Sequence, residues 1–520
     1  MPLRRNNTTA NDYNNGVIGL SKPKTVIYTD GLFGRRDIYA SFDDINRDNV
    51  VAEVNRALAI HCENLLEEEY LYWHRRGLTP VLNRTKERNS FVLNKIVVQL
   101  DETIVSFKNG FFLMTPAAYI ARNESSQESV SKLNEYLYRS GKQLADNKVA
   151  DWFHTVGKGA LFVEPGDDDD VPYRAYALDP RSAFVVYSMS PGNKPVMGVH
   201  TVTVGDTLWI DVYTERYVFR LSGSVTGKIM SADPNYMATA VDIVSVLPNV
   251  IGKIPIIEYA YNSVKQSAFE GALALIDAAS ELQSARLDGV DQFIQSLVVM
   301  YNAELPEGED ADSLKKKGMI LLKSSGENKA DIKILSEQLN QSESQTLLDS
   351  LYDEIADVCA IPKVGDRSTY DTTGMAIMAA NGWYQASVSA QNTTDLFKES
   401  NRYFDEIVLE ILNRKGLITD LKISDFEINI SRTETANMQS KAQAFNTLLA
   451  SGLHPELAAA KSGVSSDPVS DIKMSEKYIK MVWGDPDKVD KTEEQTNGQG
   501  EAEIIEEARD GDTDETGGAV

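Results

Sequence analysis

The residues that come nearest to a phosphate-cradling loop are Gly223 and Gly227, followed directly by Lys228. Such a loop needs glycines whose amides wrap the phosphate, a lysine that reaches it, and then a Ser or Thr hydroxyl for Mg²⁺. Here the glycines stand one residue too close and Ile229 follows the lysine, so the stretch reads as a turn. Asp510-Gly511-Asp512-Thr513-Asp514 opens like a calcium loop, but Glu515 occupies the position that requires glycine and no closing glutamate follows. Asp167 to Asp170 lie consecutively on a glycine-bounded turn, where adjacent carboxylates diverge, and read as a solvated loop. His61, His74, His154, His200 and His454 sit singly and read as satisfied or exposed imidazoles rather than ligands. Neither a Gly-x-Ser-x-Gly nor a His-Glu-x-x-His motif occurs. No catalytic, cofactor-binding or metal-ligating residue is assigned, and the chain is not expected to be an enzyme.

Cys62 and Cys359 stand far apart without metal-ligand neighbours, which fits a reducing compartment and excludes a disulfide framework. The 520 residues allow several domains, and 42% apolar with 8% aromatic residues suffices for globular packing. No window approaches the roughly 18 consecutive apolar residues of a membrane span, so no membrane partner is expected. The formal net charge is −25. Residues 485–520 hold 13 acids and 3 bases, which leaves −15 on the remainder. Phosphate-gripping proteins carry a basic stripe, so the composition argues against a protein that holds nucleic acid tightly.

The elements that must position any site begin after a polar, Asn/Gly-rich stretch at 1–45, which reads as a loose, flexible arm. Val51, Val54, Leu58, Leu65, Leu66 and Tyr70 recur at helical spacing up to Arg75-Arg76-Gly77. Further helices are expected over 91–105 and 129–152, the latter with Leu133, Leu137, Leu144 and Trp152 on one side. Between 160 and 248, β-branched and alternating runs separated by Gly, Pro and Asp predict an antiparallel sheet. The fold class is therefore α+β.

A long helix is expected over 267–297, with Leu273, Ile276, Leu287, Val290 and Ile294 in three-four alternation. A second, over 341–362, carries Leu351 and Ile355 and stops at Ile361-Pro362. Between them lie Lys315-Lys316-Lys317 and strand-like stretches at 319–322 and 332–335, read as a small α/β insertion, so that two helices flank a tip. A polar loop over 363–371 leads to a helix opening at Gly374 and running from Trp383 to Arg414. A strand at 426–430, a helical region at 438–483 and an acidic tail of disordered composition complete the chain.

These segments, taken in order, resemble the portal proteins of long-tailed double-stranded DNA bacteriophages. The resemblance runs through Asn94-Lys95-Ile96-Val97-Val98, Gly110-Phe111-Phe112-Leu113, Leu178-Asp179-Pro180-Arg181 and Ile254-Pro255-Ile256-Ile257-Glu258-Tyr259. It continues in Leu275-Ile276-Asp277-Ala278, Leu351-Tyr352-Asp353-Glu354-Ile355 and Thr373-Gly374-Met375-Ala376-Ile377. It covers about residues 90–480. It implies a subunit with wing (46–266 and 382–432), stem (267–297 and 341–362), clip (298–340), tunnel loop with helix start (363–381) and crown (433–484). Such subunits form rings of about twelve at one capsid vertex.

The resemblance further implies a head-to-tail connector through which double-stranded DNA is packaged and ejected, with no cofactor of its own. Its partners would be the terminase large subunit, a head-completion adaptor, and the major capsid and scaffolding proteins. The location would be the virion, and the host cytoplasm during assembly. Lys363, Asp366, Arg367 and Asp371 become tunnel candidates, and Lys315, Lys316 and Lys317 candidates for docking at the clip. Leu273, Ile276, Leu287, Val290, Ile294, Leu351 and Ile355 become stem-packing positions. Two other readings stand beside this one: a cytosolic multi-domain enzyme with acidic catalytic residues, and an adaptor with a coiled-coil hairpin at 267–362. A monomer with a carboxylate pocket favours the first, a dimer or open filament the second, and closed rings the portal reading.

Overall fold

The computed structural model describes residues 34–86, 92–113, 115–225, 238–294, 297–301, 303–304, 323–324, 331–335, 341–363, 382–430, 438–465 and five residues between 471 and 478. The chain divides into two compact units, 1–436 and 437–520.

In the first unit, α1 (Val50–Arg75) lays Val50, Val54, Ala57 and Leu58 on a five-stranded antiparallel sheet. That sheet runs β4 (Ala183–Tyr187), β5 (Pro195–Val204), β6 (Thr207–Tyr213), β7 (Tyr217–Val225) and β8 (Ala238–Pro248), in chain order. Alternation places Leu208, Ile210 and Val212 inward, while Trp209, Asp211 and Tyr213 face the other side. A smaller sheet, β3 (Tyr173–Leu178), β2 (Lys158–Pro165), β9 (Ile256–Ala260), is also antiparallel.

The expected helix over 129–152 is two helices, α3 (Gln127–Arg139) and α4 (Lys142–Val156). Gly141 breaks it at φ +77°, a conformation open to glycine but strained for other residues. The helical phase restarts there, so Ala145, Val149 and Phe153 face the core and Leu144 is left exposed. The helix expected over 91–105 is α2 (Leu100–Phe112) alone, preceded by a strap at 92–99 that belongs to neither helix nor strand. Adjacent β-branched Ile96, Val97 and Val98 favour extended backbone, and the strap's amides find acceptors on another helix.

The long helices are α5 (Leu273–Ile294), α6 (Gln341–Val358) and α7 (Trp383–Arg414). Residues 270–272 make a separate 3₁₀ turn before α5, and Leu297 already belongs to β10 (Leu297–Tyr301). β10 pairs antiparallel with β13 (Asp331–Leu335), and β11 (Ala303–Glu304) with β12 (Lys323–Ser324). Strands alone make up the described part of 298–340, and the pair closes the far end of the α5–α6 hairpin. β1 (Ala118–Ala121) pairs with β14 (Phe426–Asn429) beside α7.

Three buried clusters result. One joins α4, α7, β2, β3 and β9 through Phe153, Leu161, Tyr259, Phe397 and Phe404. A second lies under the five-stranded sheet. The third joins Leu71, Ile104, Val105 and Val156 to Phe269, Ile276, Ile355 and Cys359, and so roots the helical hairpin in the body. The first cluster encloses a polar network: Lys142 donates to Asp146 and, at 3.0 Å, to Asn401, while Tyr119 donates to Asp405. In the second unit, α8 (Met438–Ala450) packs with α9 (Pro455–Ser462), whose Ala458 and Ala459 are buried.

Candidate functional site: the helical hairpin and its root

The hairpin is held to the body by charge as well as by apolar contact. Arg35, fully buried, bridges Glu67 on α1 at 3.2 Å and Glu270 in the 3₁₀ turn at 2.6 Å. On α1, the buried His74 ring lies 2.8 Å from Asp101 at the start of α2 and 3.1 Å from Asp277 on α5. Burial by itself pushes an imidazole pKa down, yet the hydrogen bonds to these two carboxylates outweigh it and raise His74 to about 9. The neighbouring Arg75 reaches Glu102 and Asp151, each at 2.7 Å. Asn109 also donates to Asp151 at 2.7 Å. Arg75, Glu102 and Asp151 line a cleft of about 530 Å³, and both acids are committed to Arg75.

Further out, α5 presents Asp277, Ser280, Ser284 and Asp288 on one stripe. Ser280, Ser284 and Asp288 are nearly inaccessible to solvent, and Asp288 receives Arg84 at 2.6 Å. The opposite character appears among the stem-packing positions. Ile276 and Ile355 are buried, Leu273 and Leu351 half-buried, and Leu287 and Val290 are exposed at 39% and 42% in the single subunit. Ile294 ends α5.

Of the tunnel candidates, Lys363 sits past the end of α6 and pairs with Asp357 at 2.9 Å and Asp353 at 3.8 Å. Asp366, Arg367 and Asp371 lie outside the described residues, as do Lys315, Lys316 and Lys317. The hairpin is strongly acidic. α6 carries Glu343, Asp349, Asp353, Glu354 and Asp357 without a base, and α5 carries four acids against Arg286.

Among the described residues no group of three or more His, Cys, Asp or Glu is arranged to hold a metal ion, and no helix is long and apolar enough to cross a membrane. Asp167 to Asp170 are exposed, with Asp169 near Lys415 and Asp170 near Arg139. Burial pushes the thiols of Cys62 and Cys359 up to about 11, away from reactive thiolate character. Sequence spacing alone does not single out His74, because its carboxylate partners stand 27 and 203 residues away and no local pattern announces them.

The structure thus presents an acid-rich helical hairpin, rooted in a sheet body by apolar and polar contacts and tipped by a strand pair. The family described as "Phage portal protein, SPP1 Gp6-like" matches residues 61–481 of this chain. The chain belongs to that phage portal protein family, whose members are structural proteins of the virion. No curated protein matches it.

Proposed function

We propose that this chain is the subunit of a ring-shaped channel at one capsid vertex, through which double-stranded DNA enters during packaging and leaves at ejection. The family match over 61–481 carries this reading. In it, α5 and α6 are the stem, the strand pairs at its far end belong to the clip, the sheets with α1–α4 and α7 form the wing, and the second unit is the crown. The acidity of α5 and α6 supports it, because walls of like charge let a polyanion pass without gripping it. Exposed Leu287 and Val290 support contact between neighbouring stems, since each would be covered by a second copy.

Lys363, Asp366, Arg367 and Asp371 then belong to the loop beside the DNA, with Lys363 tied back to α6 by two carboxylates. The clip, with Lys315 to Lys317, would dock the terminase and later the head-completion adaptor. Capsid and scaffolding proteins would surround the wing. Negative-stain images of the purified full chain test the ring directly: closed rings with a central hole are expected, of about twelve subunits. Monomers, dimers or open filaments under the same conditions overturn the proposal.

A further inference from the structure

The strap at 92–99 is fastened to α5 in an unusual way. Its alternate amides donate to side chains one helical turn apart: Asn94 N to Asp288 Oδ1 at 2.7 Å, Ile96 N to Ser284 Oγ at 2.9 Å, and Val98 N to Ser280 Oγ at 3.2 Å. The match is geometric. Two residues of extended chain advance about 6.6 Å and four residues of α-helix about 6 Å, so donors and acceptors stay in step over three rungs. Each serine hydroxyl has its own proton committed to the helix: Ser280 Oγ donates to Ile276 O at 3.0 Å, and Ser284 Oγ to Ser280 O at 2.8 Å. Both hydroxyls therefore present a lone pair to the strap. Asn94 adds its side-chain amide to Asp288 at 3.0 Å and to Asp291 at 2.7 Å. Among the described residues the amides of Leu93, Lys95 and Val97 make no hydrogen bond.

We propose that the strap is an openable clasp that sets where α5 sits against the body and lets the two part there without either unfolding. Val92 anchors the start of the strap in the interior, whereas Leu93, Ile96, Val97 and Val98 beyond it are only half-buried and the links to α5 are polar rungs, so releasing 93–98 exposes little apolar core. α5 keeps its own backbone bonds when the rungs break, and the Phe269–Ile276–Ile355 cluster still holds its base. The inference rests on contacts within one subunit, so its failure would leave the portal reading standing.

Residue-resolved hydrogen–deuterium exchange on the full chain tests it. Corrected for intrinsic rates, the amides of Asn94, Ile96 and Val98 should exchange together, at least about tenfold slower than Leu93, Lys95 and Val97, yet faster than the core amides of α5. The double variant Ser280→Ala/Ser284→Ala should bring Ile96 and Val98 to the rate of Val97 while α5 keeps its protection, since alanine favours helix. Rungs as slow as α5, an absence of alternation, or unchanged Ile96 and Val98 rates in the variant overturn the clasp. Should the double variant fail to fold, Ser284→Ala alone, with Ile96 as the reporter, separates the same two outcomes: exchange at the rate of Val97 supports the clasp and an unchanged rate overturns it.

Discussion

Asp405 lies on α7 inside the largest core cluster, facing Tyr119 from β1, Asn401 from its own helix, and Lys142 and Asp146 from α4. Burial raises its pKa to about 7; the Tyr119 hydrogen bond and the Lys142 charge oppose this only in part, and Asp146 reinforces it. Its unfolded value is near 3.8, so between about pH 4 and 7 the folded chain keeps a proton that the unfolded chain has lost, and this group's contribution to stability declines as pH rises. Asp405→Asn retains an oxygen to accept from Tyr119 and Asn401. It should narrow the difference in Tm between pH 4.5 and 7.5 relative to the unaltered protein, as read by calorimetry. His74 works in a different window. Its contribution is fully present below about pH 6.5 and is lost as pH rises through about 9. His74→Gln leaves the buried Asp101 without its cation and should cost about 3 kcal/mol at pH 6, with a smaller loss at pH 9.5, measured by denaturant unfolding.

At the scale of elements, α5 is two-faced. Its stripe of Asp277, Ser280, Ser284 and Asp288 is matched by polar partners within the subunit, whereas Leu287 and Val290 on α5 remain exposed. The polar stripe thus serves the subunit, and on the portal reading the apolar one serves its neighbours. Leu287→Asp with Ile294→Asp should abolish ring assembly while the sheets remain folded, seen as a shift to small species in sizing chromatography with unchanged circular dichroism. Normal rings from that variant would remove α5 from the subunit interface.

For the whole molecule, the net charge of −25 makes a short basic run conspicuous, and Lys315-Lys316-Lys317 is such a run. Changing all three to Glu should weaken terminase or adaptor binding by about tenfold or more while rings still form, if the run docks a partner. Binding unchanged for both would restrict these lysines to solubility. The measurement is a pull-down or biosensor titration repeated at two salt concentrations, because a contact made by exposed charges weakens with ionic strength.

Much of this architecture is legible in the chain itself. The 3.6-residue periodicity of α1 and α7, the alternation of β6, and the proline stop after α6 are local properties, imposed by which side chains must leave water. The ordered segments from Asn94 to Ile377 carry the family resemblance in the same local way. What the sequence could not supply depends on partners distant along the chain. The strap reads as helix until Ser280, Ser284 and Asp288 are placed beside it, since its amides choose between their own turn and acceptors nearly two hundred residues away. His74 reads as a lone imidazole until α2 and α5 bring two carboxylates to it, and Leu144 reads as core until Gly141 resets the helical phase. Local pattern fixes which elements form, because backbone propensity and amphipathic period act over a few residues. Tertiary structure decides what each polar group pairs with, because a buried donor or charge takes its energy from whichever partner the fold delivers.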